Sequence, residues 1–155
     1  MSAVDISASE PDRNTEPELL ELLDELKGRE PIFHYPELGN TREDFDRLTN
    51  PDFWETGASG RRYSREYVWS ILEQRYTSYS SDQRDQDWHT SEFHLREIAP
   101  ATYLLTYTPQ QDTKLTRRAT IWQRRERDWT VLYHQGTLVS DPTLNVVIHH
   151  PQVDQ

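Results

Sequence analysis

The strongest constraint on this chain is a series of four alternating segments, residues 88–98, 102–108, 116–125 and 129–137, with no helical pattern between them. Apolar and polar side chains that alternate at period two mark strands with one buried face. Consecutive strands joined by connections this short must run antiparallel, because a parallel neighbour needs a crossover of a dozen residues or more. The second half is therefore a meander, and whatever covers one of its faces must come from the first half.

The first half supplies that cover. Thr15-Glu16-Pro17-Glu18 reads as a helix start, with Thr15 and Glu18 closing a capping box and Pro17 tolerated in the first turn. Leu19, Leu22, Leu23, Leu26 and then Phe33 form one apolar stripe, with a bend expected at Pro31 and an end at Pro36. Thr41 and Asp44 repeat the capping logic for a short second helix carrying Phe45 and Leu48, which stops at Asn50-Pro51. Phe53–Thr56 reads as a strand and 57–60 as a turn. Ser64 caps a third helix with Tyr67, Val68, Ile71, Leu72, Arg75 and Tyr76 on one face. Helices followed by a meander make an α+β protein: a strongly curved antiparallel sheet wrapped over three N-terminal helices. The 5 glycines are isolated, so there is no phosphate-cradling loop. The expected organisation is a disordered acidic leader over 1–14, one domain over 15–139 and a tail over 140–155. Residues 77–87 read as a polar loop, and Val146-Val147-Ile148 as a short edge segment.

Such a domain needs a core, and Leu, Ile, Val and Phe number only 32 of 155 residues. The 5 Trp and 8 Tyr make up the difference, since each large aromatic buries roughly 150–250 Å². The net charge of −10 is concentrated at the front: residues 1–26 carry eight acids against Arg13 alone. This balance argues against nucleic acid and anionic membranes as partners, both of which require clustered positive charge. The local basic run of Lys114, Arg117, Arg118, Arg124, Arg125 and Arg127 is expected to be a solvated hairpin. With no cysteine, disulfides, thiolate catalysis and thiolate metal sites are excluded. The first residues carry no basic and apolar leader pattern, and no apolar run could span a bilayer, so the expected location is cytoplasmic. Arginine supplies 15 of the 17 basic residues, a composition suited to a bacterial genome rich in GC.

If Glu126-Arg127 is the turn between the last two strands, Arg118 lies beside Gln135, Thr120 beside Tyr133 and Trp122 beside Val131. One face of that hairpin is then polar and aromatic. The other collects Ala119, Ile121, Leu132 and His134 and is the better surface for packing helices. Glu-Arg is a poor two-residue turn, and a slip of one residue would exchange the faces. Arg118, Thr120, Trp122, Tyr133 and Gln135 are the candidate ligand-binding residues, a fixed cation among neutral hydrogen-bonding groups suited to a carboxylate, enolate or carbonyl oxygen. Glu55 is a candidate catalytic base if burial raises its pKa, or else a structural partner of Arg118 or Arg61. His134 is a second candidate base, or else a histidine that ties the strand end to a helix.

Six histidines give no convincing set of metal ligands. His149 and His150 are adjacent, His89 and His94 fall on opposite faces of a strand, and Glu30 with His34 lacks a third ligand. Neither a metal nor a cofactor is expected. Of Trp54, Trp88, Trp122 and Trp129, most are expected to fill the core.

Several strings resemble the nuclear transport factor two-like superfamily, and within it a bacterial branch of unknown function. They are Asn50-Pro51-Asp52-Phe53-Trp54-Glu55 with Gly57-Ala58-Ser59-Gly60-Arg61, then Arg117-Arg118-Ala119-Thr120-Ile121-Trp122, and Trp129-Thr130-Val131-Leu132-Tyr133-His134-Gln135-Gly136-Thr137. Together with the element order they extend the resemblance over roughly residues 16–139. It implies a cone-shaped fold shared with ketosteroid isomerase, scytalone dehydratase, limonene epoxide hydrolase and the SnoaL-like polyketide cyclases. It also implies a ligand pocket at the open end of the cone and homodimerisation through the outer face of the sheet. The isomerase and hydrolase branches place an Asp, or an Asp with Arg, on those strands, where this chain has Thr120 behind Arg118. The expected function is binding of a small amphipathic organic ligand, with proton-transfer or hydration-type chemistry. The alternative is a protein-interaction module, either a dimeric adaptor or an acidic immunity-type partner, motivated by the acidic front. A purely structural domain is a third reading.

Overall fold

The computed structural model describes residues 9–77 and 88–140. Most of the leader, the loop over 78–87, Val146–Ile148 and His149-His150 lie outside the described residues. A 3-10 turn at Pro17–Leu19 leads into α1 (Leu20–Lys27), followed by α2 (Arg42–Leu48), β1 (Thr49–Thr56), β2 (Arg62–Ser64) and α3 (Arg65–Thr77). The meander is β3 (His89–Ala99), β4 (Thr102–Gln111), β5 (Lys114–Arg125) and β6 (Asp128–Leu138).

The fold is α+β, with three helices against a curved, open sheet of order β2-β1-β6-β5-β4-β3. The meander is antiparallel throughout, but the sheet as a whole is mixed because β1 pairs parallel with β6. Between those two strands lie α3 and the other three meander strands, a crossover long enough to bring them side by side in the same direction.

The local signals explain most helix ends. At α2 the capping box forms as read: Asp44 N–H donates to Thr41 Oγ1 at 3.1 Å, and the Asp44 carboxylate accepts from Thr41 N at 3.4 Å. At α3 the Tyr67 N–H donates to Ser64 Oγ at 3.2 Å. At α1 the expectation fails. No side chain caps it, and Thr15 Oγ1 instead accepts from Leu95 N at 3.1 Å, tying the segment before the helix to β3. Nor does the helix continue to a bend at Pro31. It stops before Gly28, and the chain turns through a cis Glu30–Pro31 peptide.

The core lies between helices and sheet. Leu23 and Leu26 of α1, Phe45 of α2, and Val68 and Leu72 of α3 pack with Phe53 on Leu95, Leu105, Trp122, Trp129 and Val131. Aromatic rings carry much of it: Phe33 is 5.7 Å from Phe45 and 6.0 Å from Phe53, and Trp129 is 5.6 Å from Tyr103 and 6.3 Å from Trp122. These centroid spacings are those at which edge and tilted ring pairs attract.

The last hairpin decides which side chains face that core. It turns at Glu126-Arg127, with Glu126 at φ 56°, and keeps the expected register from Arg125 opposite Asp128 to Trp122 opposite Val131. Leu132 is then an extra residue. Beyond it Ile121 faces Tyr133, Thr120 faces His134 and Arg118 faces Gly136. This β-bulge inverts the facing of the far half of β6.

Candidate functional site

The bulge corrects the faces deduced from the turn alone. Arg118, Thr120 and Trp122 do share a face, but it is the face the helices cover: Trp122 is packed in the core cluster with Leu23 and Leu26. His134 joins them instead of opposing them. Tyr133 and Gln135 are displaced to the outer face. There Tyr133 OH donates to Gln135 Oε1 at 2.7 Å and bonds Thr56 Oγ1 at 2.8 Å, while its ring sits edge-on to Trp54, 43% exposed. Ala119, Ile121 and Leu132, the predicted helix-packing set, are only half-buried.

Between the inner face and α3 lies an open cavity of about 330 Å³. The sheet contributes Glu55, Arg118, His134 and Gly136, α3 contributes Tyr67, Val68, Ile71, Leu72 and Arg75, and the turn after α1 contributes Ile32, Phe33 and His34. At its rim Tyr63 and Tyr67 stack at 5.3 Å with Arg61 above both rings. Glu55 and His134 are partnered positions on β1 and β6. Of the candidate residues, Glu55, His134 and Arg118 therefore converge on the cavity. Thr120 and Trp122 lie behind its wall, 0% and 3% exposed.

The cavity's charges are unbalanced. Arg118 lies over the Trp88 ring at 4.9 Å, and neither it nor Arg75 makes an ion pair among the described residues. Burial pushes the Glu55 carboxyl up, and the Arg118 and Arg75 guanidinium groups pull it partly back. No Arg61 or Arg118 ion pair to Glu55 forms; Arg61 is spent on the tyrosines. Burial holds His134 down to about 3, with Arg118 and then His34 adding to the effect. His34, edge-on to Trp88 at 5.3 Å, is held down to about 3 by burial, then by Arg75 and Arg118. Both imidazoles are thus neutral at pH 7. Among the described residues, two permanent cations against one carboxyl leave a positive cavity in an acidic protein, suited to an anion.

Behind the wall is a group that sequence reading did not single out as an acid. Glu30, 1% exposed, accepts from Tyr107 OH at 2.8 Å and Ile32 N at 3.2 Å on Oε1, and from Trp122 Nε1 at 3.1 Å on Oε2. The nearby Thr120 hydroxyl also favours its ionised form. Burial pushes the carboxyl up to about 7, against the pull of those donors and of Arg118. Thr120 Oγ1 also bonds His134 Nδ1 at 2.8 Å. Spacing paired Glu30 with His34 on a helix face, but α1 ends before either residue. The one local clue to Glu30 is a charge set between a helix end and a proline, next to apolar Ile32-Phe33, because a charged residue so placed is buried only with partners.

No helix of the described residues is long and apolar enough to cross a membrane, and the described residues contain no group of three or more His, Asp or Glu able to hold a metal ion.

Solved structures identify this architecture. A cystatin-like-fold protein from Caulobacter vibrioides, uncharacterised, superposes with a TM-score of 0.58 at 18% identity, covering 81% of this chain and 95% of its own. A nuclear transport factor two-like protein of unknown function from Silicibacter pomeroyi matches with a TM-score of 0.53 at 13% identity over 77% of this chain and 97% of that one. One from Cytophaga hutchinsonii gives 0.53 at 12% identity over 81% and 100%. The fold is the nuclear transport factor two-like cone. No family model matches the chain, and no curated protein does. At these identities the likeness to nuclear transport factor two-like proteins is one of fold, and function has to be argued from the cavity.

Proposed function

We propose that the cavity binds a small amphipathic organic anion and catalyses a proton-transfer or hydration-type reaction on it. The observation that carries this reading is the pair of guanidinium groups, Arg118 and Arg75, facing one partly apolar cavity without an ion-pair partner among the described residues. Arg118 would hold the carboxylate or developing enolate, with the apolar faces of Val68, Ile71 and Leu72 against the hydrocarbon. Glu55, its carboxyl raised by burial, is then a base of useful strength beside the bound anion. Outward-facing Trp54 and Tyr133 supply apolar area for the homodimer contact, which sedimentation would detect.

The test is calorimetric titration with benzoate and 2-naphthoate, each against its neutral amide. Binding of the acids and not of the amides is expected, with a loss of about tenfold or more in Arg118→Ala. Equal affinity for acid and amide, or unchanged affinity in a folded Arg118→Ala, would remove the reading.

A further inference from the structure

We propose that His134, Thr120 and Glu30 form a proton relay, in which the buried imidazole accepts a proton from a cavity ligand at Nε2 and hands its Nδ1 proton through the threonine hydroxyl to Glu30.

The geometry is a chain of three groups with one open end. Nδ1 of His134 is 2.8 Å from Thr120 Oγ1, and the Thr120 hydroxyl stands close enough to the Glu30 carboxyl to favour its ionised form. The His134 ring lines the cavity, and its Nε2 has no hydrogen-bond partner among the described residues. A hydroxyl offers one donor and can accept at the same time, so the state of Glu30 sets the direction of the chain. With Glu30 ionised, Thr120 donates to it and must accept from His134, which fixes the Nδ1–H tautomer and leaves Nε2 as a bare acceptor toward the cavity. With Glu30 protonated, the carboxyl donates to Thr120, Thr120 donates to Nδ1, and Nε2 carries the hydrogen.

This arrangement resolves a difficulty. An imidazole so buried, with Arg118 and His34 near it, is a poor base if it must become an imidazolium. In the relay it never does. The ligand's C–H bond breaks and a proton bonds to Nε2. The Nδ1–H proton moves to Thr120 Oγ1, and the original threonine proton moves to a Glu30 oxygen. The electron pair stays on the ligand as an enolate beside Arg118. One negative charge has passed from the buried carboxylate to the ligand, and the imidazole ends neutral. The groups facing the relay are Tyr107 of β4 and Trp122 of β5 on Glu30, with Arg118 of β5, Arg75 of α3, Glu55 of β1 and His34 around the cavity.

The relay rests on reading the cavity as a ligand site, but its test needs no ligand. Nitrogen-15 NMR of histidine-labelled full-length protein, with His134 assigned by its absence in His134→Gln, reads the tautomer from about pH 5 to about pH 9. The ring is expected to stay neutral while the tautomer ratio changes about tenfold, from Nε2–H at low pH to Nδ1–H at high pH. The change should vanish in Thr120→Val and in Glu30→Gln and survive in Thr120→Ser. A ratio independent of pH in the native chain, a change that persists in folded Thr120→Val, or an imidazolium in that range would each overturn the relay. If Glu30→Gln does not fold, the two threonine variants decide. Loss of carboxylate binding at Arg118 would instead overturn the cavity reading while leaving the tautomer result standing.

Discussion

Glu55 and His134 stand at partnered positions on the parallel strands β1 and β6, so a carboxyl and an imidazole occupy the same wall of one cavity. Burial drives both toward their neutral forms, the carboxyl up and the imidazole down. The positive charge in the cavity therefore rests on Arg118 and Arg75, which cannot discharge.

Anion affinity should consequently depend on pH through Glu55. Ionised Glu55 repels a bound carboxylate and protonated Glu55 does not, so affinity rises as pH falls through the raised Glu55 pKa. Glu55→Gln should bind 2-naphthoate about tenfold tighter than the native chain at high pH, with a shallower profile. Calorimetry across pH checks this; a parallel pH profile in the variant would show that Glu55 does not face the ligand.

Stability should carry the imprint of three buried groups. The folded Glu30 pKa is raised from 4.5 to about 7, so its contribution is full below the unfolded value and is lost as pH rises toward the folded one. His34 and His134 are lowered from 6.5 to about 3, so theirs is lost as pH falls through that range. Between the unfolded Glu and His values the two histidines oppose one glutamate. For these three groups the unfolded chain binds one proton more, a contribution of about 1.4 kcal/mol lost per pH unit of acidification. Glu30→Gln removes the opposing term and should steepen the slope seen in urea denaturation by about 1.4 kcal/mol per pH unit; an unchanged slope would mean Glu30 titrates normally.

Gly39 has a predictable intolerance. Its φ is +138°, and a Cβ there would come 2.6 Å from Asp44 Cβ, the residue that closes the α2 capping box. Gly39→Ala should cost about 1–3 kcal/mol through backbone strain and loss of the cap. Chemical denaturation would show it, and a neutral variant would contradict the geometry.

Thr15 should protect a specific amide. Its hydroxyl accepts from Leu95 N at 3.1 Å, beside the irregularity of β3 between Ser91 and His94. In Thr15→Ala the Leu95 amide should exchange hydrogen about fivefold faster or more, as expected for losing about 1 kcal/mol. Unaltered protection at Leu95 would mean that solvent or backbone satisfies this amide.

The elements were legible where a short-range signal decided them. Thr41 and Asp44 begin α2, Ser64 caps α3, and the alternation after Trp88 produces the meander. Turn arithmetic located the hairpin at Glu126-Arg127 and held as far as Trp122 and Val131. It failed at Leu132 because a bulge depends on the curvature of the whole sheet, not on any residue at the bulge. Thr15 misled because its hydroxyl had a competitor in β3, 80 residues away. Of the site, Arg118, Glu55 and His134 were legible as residues but not as neighbours. Glu30 was not, since its partners Tyr107 and Trp122 lie 77 and 92 residues from it.

Leu132 works as a frame shift within a strand. On one side of it β6 counts its inward residues as Trp129 and Val131, on the other as His134 and Gly136. Deleting that one residue would restore unbroken alternation and leave His134 and Gly136 inward, whereas closing the bulge with Leu132 kept in the ladder would turn Tyr133 and Gln135 inward in their place. In the second case the cavity would trade an imidazole and a bare backbone for a phenol and an amide. Whether one leucine stands inside or outside the ladder, with no side chain substituted, thus decides which interior chemistry this fold presents.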